Sequence, residues 1–224
     1  MRICRLFREF GRFESACNTT VIVAFEFQHR AREHGGRVAI FPGAWNPPTI
    51  AHLEIARAAQ CWAGEVIWTL PRRFPHKEFR GTAFDDRREM LRSIVAAEPG
   101  FSAAISDGGL YLEMADEARS LLGRETEIGL VCGRDAAERI AAWDYGRPDV
   151  FEEMIKRYPL LVAGRAGDYR PAAHHANRII PLPMESSFDE VSSTEVRRRI
   201  ESGEPWQHLV PGAIVDKVAR LYQA

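Results

Sequence analysis

"RVAIFPGAWNPPTIAH" runs from Arg37 to His52 and joins a strand-like run to a helix-like one through a stiff corner. "RVAIF" (37–41) is a short apolar run of the kind that fills a buried strand, and "HLEIARAA" (52–59) repeats its apolar residues at helical spacing. Between them, Pro47 and Pro48 fix φ and remove their own N–H groups, which sets the direction of the chain before the helix starts. Gly43 has no Cβ, so backbone there can approach a ligand closely. Thr49 and His52 are three residues apart and share one face of the helix's first turn. That end of a helix carries unpaired N–H donors and a positive partial charge, and it attracts anions. A hydroxyl and an imidazole added there make a cradle for phosphate. The plainer reading is that Thr49 is an N-cap and His52 a surface or core histidine, and the rest of the chain has to decide between the two.

From Arg37 onward the same rhythm repeats. Apolar strands are expected at 37–41, 65–70, 127–132, 160–164 and 177–182. Helices are expected at 52–62, 85–97, 111–122, 135–142, 150–157, 193–202 and 212–222, the second of them starting at Asp85 or Asp86. Short apolar strands alternating with helices predict an α/β fold, a Rossmann-like, doubly wound, mostly parallel sheet with helices on both faces. Such sheets bind ligands beyond the carboxyl ends of their strands. Residues 1–36 read as an N-terminal helical extension ahead of a domain spanning 37–224. In "MRICRLFREFGRF", Arg2, Arg5, Arg8 and Arg12 share one helical face and Ile3, Leu6, Phe7 and Phe10 the other. Such a helix packs on the body, or on a partner subunit of a homo-oligomer, in preference to a membrane surface.

The 224 residues are 46% hydrophobic and 27% charged, the profile of a soluble globular protein with a real core. A net charge of −1 lacks the basic surplus of a protein that coats nucleic acid, so no nucleic-acid partner is expected. The longest apolar run falls short of the about 20 residues needed to cross a bilayer, and "VIVAFEF" (21–27) carries Glu26. The arginine-rich start has acidic residues and no clean apolar segment, unlike a secretory signal. Cys4, Cys17, Cys61 and Cys132 are scattered, with no Cys-x-x-Cys pair and no His cluster beside them. Neither a zinc site nor a disulfide framework is therefore expected, and a reducing cytoplasm fits.

Three further stretches carry candidate chemistry. "PHK" (75–77) follows the second expected strand, and Lys77 is a point charge able to reach a phosphate. In "VSSTEVRRRI" (191–200), Ser192 or Ser193 can cap a helix, and Ser193, Thr194 and the first-turn amides form a second anion-binding terminus. Arg197, one turn along the same face, can clamp phosphate oxygens. "GRDAAERIAAW" (133–143) follows the third strand; Asp135 is placed to accept hydrogen bonds from a ribose, and Trp143 offers a flat face to a heteroaromatic ring. Read plainly, these are a solvated lysine, an ordinary helix start with solvated arginines, and a core tryptophan.

Taken in order, these stretches resemble a known family. "FPGAWNPPTIAH" is similar to the (His/Thr)-x-Gly-His signature of the nucleotidyltransferase superfamily, and "SSTEVR" to its Ile-Ser-Ser-Thr-x-x-Arg signature. Joined by "PHK", by "GRD" with a Trp eight residues after the Asp, and by the closing "LVPGAIVDKVARLY" (209–222), the pattern resembles the nicotinate/nicotinamide mononucleotide adenylyltransferases over roughly residues 37–222. Ala51 stands where the signature usually has Gly. The region where that family usually carries a Tyr-Thr pair reads "SDGGLYLEMADEA", with Tyr111 and no following Thr.

The resemblance implies adenylyl transfer, in which the phosphate of a pyridine mononucleotide attacks the α-phosphate of ATP and displaces pyrophosphate. It implies that His52, Thr49, Lys77 and Arg197 are catalytic and that Gly43, Ala44, Trp45 and Asn46 line the substrate site. Gly133, Asp135, Trp143 and Arg165 belong on the mononucleotide side, and Ser193 and Thr194 on phosphate. Mg²⁺ is the expected cofactor, bridging phosphate oxygens with few or no protein ligands. Two alternatives stand beside this reading. One is a related transferase with another acceptor, such as phosphopantetheine or, with CTP, a phosphorylated polyol. The other is a catalytically weakened nucleotide-binding module.

Overall fold

Seven strands form one sheet: β1 (Phe25–His29), β2 (Arg37–Pro42), β3 (Glu65–Pro71), β4 (Phe101–Ser106), β5 (Glu127–Gly133), β6 (Leu160–Ala163) and β7 (Ile179–Leu182). The computed structural model describes residues 24–31, 36–75, 81–164, 169–185 and 188–223. The spatial order is β1-β4-β3-β2-β5-β6-β7. All neighbours pair in parallel except β1, which lies antiparallel on β4 with Phe25 opposite Ser106. The chain winds outward from β2 through β3 and β4, then returns to β2's other side with β5. A doubly wound sheet opens a crevice where its winding reverses. Here that place is the carboxyl ends of β2 and β5.

Both faces of the sheet are covered, and the strands alternate between two cores as a period of two requires. Ala39, Phe41, Val66, Trp68 and Val131 join one core with α1 (Ile50–Ala59), α2 (Phe84–Ala97), α6 (Ser193–Glu201) and α7 (Val215–Tyr222). Val38, Ile40, Ile67, Ile128, Leu130 and Cys132 join the other with α3 (Tyr111–Leu122), α4 (Arg134–Ala141) and α5 (Val150–Arg157). The expected doubly wound α/β architecture is therefore the observed one.

Two strands were not expected. "FSAAIS" (β4) is rich in small residues with weak strand preference, and it is extended because β1 and β3 flank it and bury every residue. β1 belongs to the 1–36 stretch, so the sheet reaches back across the expected boundary at residue 36. The Ser102 hydroxyl fixes the end of β1: it accepts from the Ala31 N–H at 2.8 Å and donates to the buried Glu65 carboxylate at 2.5 Å. The amphipathic helix expected over the first thirteen residues lies outside the described residues. α2 begins at Phe84, with Asp85 and Asp86 inside its first turn rather than capping it. A 3₁₀ turn, Ala173–Arg178, replaces the first residues of the strand expected at 177.

Candidate functional site

α1 starts at the crevice because Thr49 stops the extended chain. Its φ of −122° and ψ of 167° are those of an N-cap, and its Oγ1 accepts from the His52 N–H at 3.4 Å. His52 completes a reciprocal capping box in which an imidazole does what Glu or Gln usually does. Its Nδ1 accepts from the Thr49 N–H at 3.0 Å and lies 2.8 Å from Thr49 Oγ1. An Nδ1 that accepts cannot carry the ring proton, so the neutral imidazole is held as the Nε2–H tautomer. Capping thus fixes the orientation of the ring and the position of its donor. Of the two readings of Thr-x-x-His, the N-cap is the one observed, and the cap is what aims the imidazole.

The corner before Thr49 is built on a core residue. Trp45 is only 2% exposed, adopts a left-handed φ of 54°, and donates from Nε1 to the Thr69 carbonyl at 3.0 Å. A bulky residue at positive φ is rare and costs on the order of 1–3 kcal/mol, which the surrounding packing has to hold. Its ring packs on Trp68, Phe41 and His52 at centroid distances of 4.7, 5.0 and 5.3 Å. The indole also explains Gly43, since a Cβ there would come within 2.7 Å of it. Gly43 makes room for Trp45, a different reason from the ligand approach read in the sequence. The Asn46–Pro47 peptide is cis.

Cations and hydroxyls hold the corner's carbonyls. Arg87 Nη1 donates to Ala44 O at 3.0 Å, Arg197 Nη1 to Asn46 O at 2.5 Å, and Ser193 Oγ to Pro47 O at 2.7 Å. The buried Asn46 side chain accepts through Oδ1 from the Tyr222 hydroxyl at 2.6 Å and the Thr82 N–H at 3.3 Å. Burial lowers the pKa of Arg87 and raises that of Tyr222.

α6 contributes the second helix start. Ser192, not Ser193, is its N-cap, accepting from the Glu195 N–H at 3.1 Å. That leaves the Ser193 hydroxyl and the Arg197 guanidinium to dock α6 onto the corner. Arg197 also donates from Nη2 to Thr194 Oγ1 at 3.2 Å. Of the five N–H donors of a guanidinium, these two contacts use two. The fold therefore joins Thr49, His52, Ser193, Thr194 and Arg197 at one place, although Pro47 and Ser193 are 146 residues apart.

The other side of the crevice is the end of β5. Gly133 is the residue before α4, Asp135 lies exposed in that helix's first turn beside Arg134 at 3.5 Å, and Trp143 follows the helix half-buried. The loop after β4 opens nearby, because the Tyr111 hydroxyl reaches Val131 O at 3.5 Å. Carboxylates fill the amides of this loop: Glu117 accepts from Gly108 N–H at 2.7 Å, and Glu113 from Gly109 and Leu110 N–H at 2.9 and 3.0 Å. Burial pushes the Tyr111 phenol well up and raises the Glu117 carboxyl. Lys77 and Arg165 lie outside the described residues.

Arg87 and Tyr222 were missed in the sequence. Each had a signal: Arg87 precedes Met90, Leu91 and Ile94 on the apolar stripe of α2, and Tyr222 sits one turn after the buried Val218 of α7. A charged or hydroxylated side chain on a buried stripe asks for a partner, but the stripe does not say which.

The side chains named at the corner are neutral polar groups, an indole and cations, with no carboxylate among them. Among the described residues, one group of three side chains could hold a metal ion, namely Glu152, His174 and His175, and it lies on α5 and the 3₁₀ turn.

Comparison with known proteins bears on the family and the fold. The family model for cytidylyltransferase-like proteins matches residues 40–199. A probable nicotinate-nucleotide adenylyltransferase of Anaeromyxobacter dehalogenans is 32% identical over 200 residues, covering 85% of this chain and 96% of that protein. One from Carboxydothermus hydrogenoformans is 28% identical over 200 residues, covering 82% and 96%. The structure of Plasmodium falciparum nicotinic acid mononucleotide adenylyltransferase complexed with NaAD has the same fold at 15% identity. Its TM-score is 0.63, with 82% of this chain and 95% of that one aligned.

Proposed function

This chain belongs to the cytidylyltransferase-like family, among its nicotinate-nucleotide adenylyltransferases, and we propose the following account of how its residues carry out that family's reaction. It joins ATP and nicotinate or nicotinamide mononucleotide to give the dinucleotide and pyrophosphate, a step of NAD biosynthesis. An oxygen of the mononucleotide phosphate forms a bond to the α-phosphorus, and the bond from that phosphorus to the oxygen bridging the β-phosphate breaks. The nucleophile is already an anion, so no base, activated hydroxyl or covalent intermediate is needed. What the protein has to supply is placement of two anions side by side and stabilisation of extra charge on the α-phosphate.

The corner is suited to that work. The Nε2–H of His52 serves as a fixed donor to a non-bridging α-phosphate oxygen. The starts of α1 and α6 add partial positive charge to the triphosphate, and Thr194 and the remaining donors of Arg197 bind its oxygens. Lys77 adds a further cation. Thr49 holds the imidazole by capping, and Ser193 holds α6 against the corner. Gly43, Ala44, Trp45 and Asn46 give the site its shape. Across the crevice, Asp135 accepts from the ribose of the mononucleotide and Trp143 stacks on its ring, and Gly133 and Arg165 are assigned to the same substrate. Mg²⁺, bound with ATP, would supply charge neutralisation at the triphosphate, and none of the side chains named at the corner is a carboxylate that would hold it. A cytoplasmic location accords with the free thiols of Cys61 and Cys132.

The observation that carries this reading is the docking of α6 on the corner through Ser193 and Arg197, which brings the starts of α1 and α6 together. The test is pyrophosphate release from ATP or CTP with nicotinate mononucleotide, nicotinamide mononucleotide, phosphopantetheine or a phosphorylated polyol as acceptor. Turnover with ATP and a pyridine mononucleotide is expected. Turnover confined to another acceptor, or tight nucleotide binding without turnover, would overturn it.

A further inference from the structure

We propose that Glu152, His174 and His175 form a zinc site that braces α5 against the turn leading into β7. Nothing in adenylyl transfer uses these residues, and the cysteine spacing gave no reason to expect a metal here. The tertiary structure brings them together. Glu152 lies in the first turn of α5, and the two histidines are in the 3₁₀ turn Ala173–Arg178. Each histidine Nε2 is 3.7 Å from the same carboxylate oxygen, Glu152 Oε1, and the three ligand atoms all lie within 4.8 Å of one another.

That distance is too long for a hydrogen bond. It is close to the separation of two ligands of one tetrahedral ion, about 3.3 Å for bonds of 2.0–2.1 Å. A shift of a few tenths of an ångström brings each 3.7 Å imidazole–carboxylate separation to that value. The buried Nε2 of His175 has no hydrogen-bond partner, and buried polar atoms are seldom left so. Its ring is held edge-on to Phe151 at 5.2 Å, which keeps Nε2 turned towards Glu152. Two imidazole nitrogens and a carboxylate oxygen converge here, each able to offer a lone pair, and one cation would satisfy all three.

The donor set narrows the choice of ion. Imidazole selects zinc and its first-row neighbours over magnesium and calcium, so this ion is distinct from the one that accompanies ATP. Three protein ligands leave a fourth position to water. The ion ties the connection between β6 and β7 to α5.

The test uses the full chain stripped with EDTA and titrated with Zn²⁺ by calorimetry, then with Co²⁺ by visible absorption. One ion per chain is expected, with a tetrahedral cobalt spectrum and a melting temperature that rises on zinc addition. Glu152 and His174 are exposed enough to change without loss of fold, at side-chain exposures of 42% and 66%. Glu152→Gln and His174→Gln should each weaken binding at least about 10–100-fold, the loss seen for mere outer-shell partners of a metal, and should abolish the thermal shift. No zinc binding by the unaltered chain would overturn the proposal. So would undiminished binding in both variants, or a sulfur-to-cobalt absorption band, which would put the ion on a cysteine. Activity is not the readout, so failure of the adenylyltransferase assignment would leave this result standing.

Discussion

His52 has two jobs that a pair of substitutions can separate. Nδ1 accepts from the Thr49 N–H at 3.0 Å, whereas Nε2 carries the proton. In His52→Asn, Oδ1 takes the place of Nδ1 and keeps the cap, while the amide stops an atom short of Nε2. In His52→Ala both are gone. Loss of one donor to developing charge costs about 10²–10³ in kcat, or about 2.7–4 kcal/mol, and both variants should show it with ATP KM changing much less. Loss of the side-chain acceptor costs about 0.5–1.5 kcal/mol of stability, and only the Ala variant should show it. For a chain of this size, each kcal/mol lowers Tm by about 2–4 °C. Steady-state pyrophosphate release and a thermal melt therefore read the two jobs independently. An Asn variant with near-normal kcat would remove His52 from the chemistry. An Ala variant as stable as the parent would remove it from the cap.

Ser193→Ala deletes the 2.7 Å bond to Pro47 O, so Tm should fall by a few degrees, matching about 0.5–1.5 kcal/mol, and ATP KM should rise as α6 loosens from the corner; an unchanged melt would show that α6 docks without it. Arg198 and Arg199 hold the Glu195 carboxyl down at about 2, against an ordinary value of 4.5. A lowered folded-state pKa gives stability that is present above the unfolded value and lost as pH falls through the folded one. The Tm difference between the parent and Glu195→Gln should accordingly shrink between about pH 4.5 and 2. A constant difference over that range would discard the coupling. Burial pushes the Cys132 thiol far up, whereas Cys61 is exposed. Iodoacetamide at neutral pH should label Cys61 in the native chain and Cys132 only after denaturation, read by peptide mapping.

Strand–corner–helix periodicity was enough to read the doubly wound sheet, because alternating apolar strands buried on both faces leave a strong local pattern. β4 escaped because Ala and Ser carry little pattern of their own and are extended only through their neighbours. Asp85 and Asp86 looked like caps because an acidic residue favours the first turn as well as the cap, and sequence does not separate the two.

The candidate site divides along the same line. Local geometry dictates that Thr49 and His52 share a face, since residues three apart in a first turn must do so, and that pairing, with a helix starting near Ser192 or Ser193, was legible in the sequence alone. Only the tertiary structure decided that Ser193 and Arg197 close on the carbonyls of Pro47 and Asn46, that Gly43 yields to Trp45, and that Arg87 and Tyr222 bond to Ala44 O and the Asn46 side chain. It alone brought Glu152 to His174 and His175. The reason is range: capping and helical spacing act over a single turn, whereas these contacts join elements whose approach is set by how the whole sheet winds and packs.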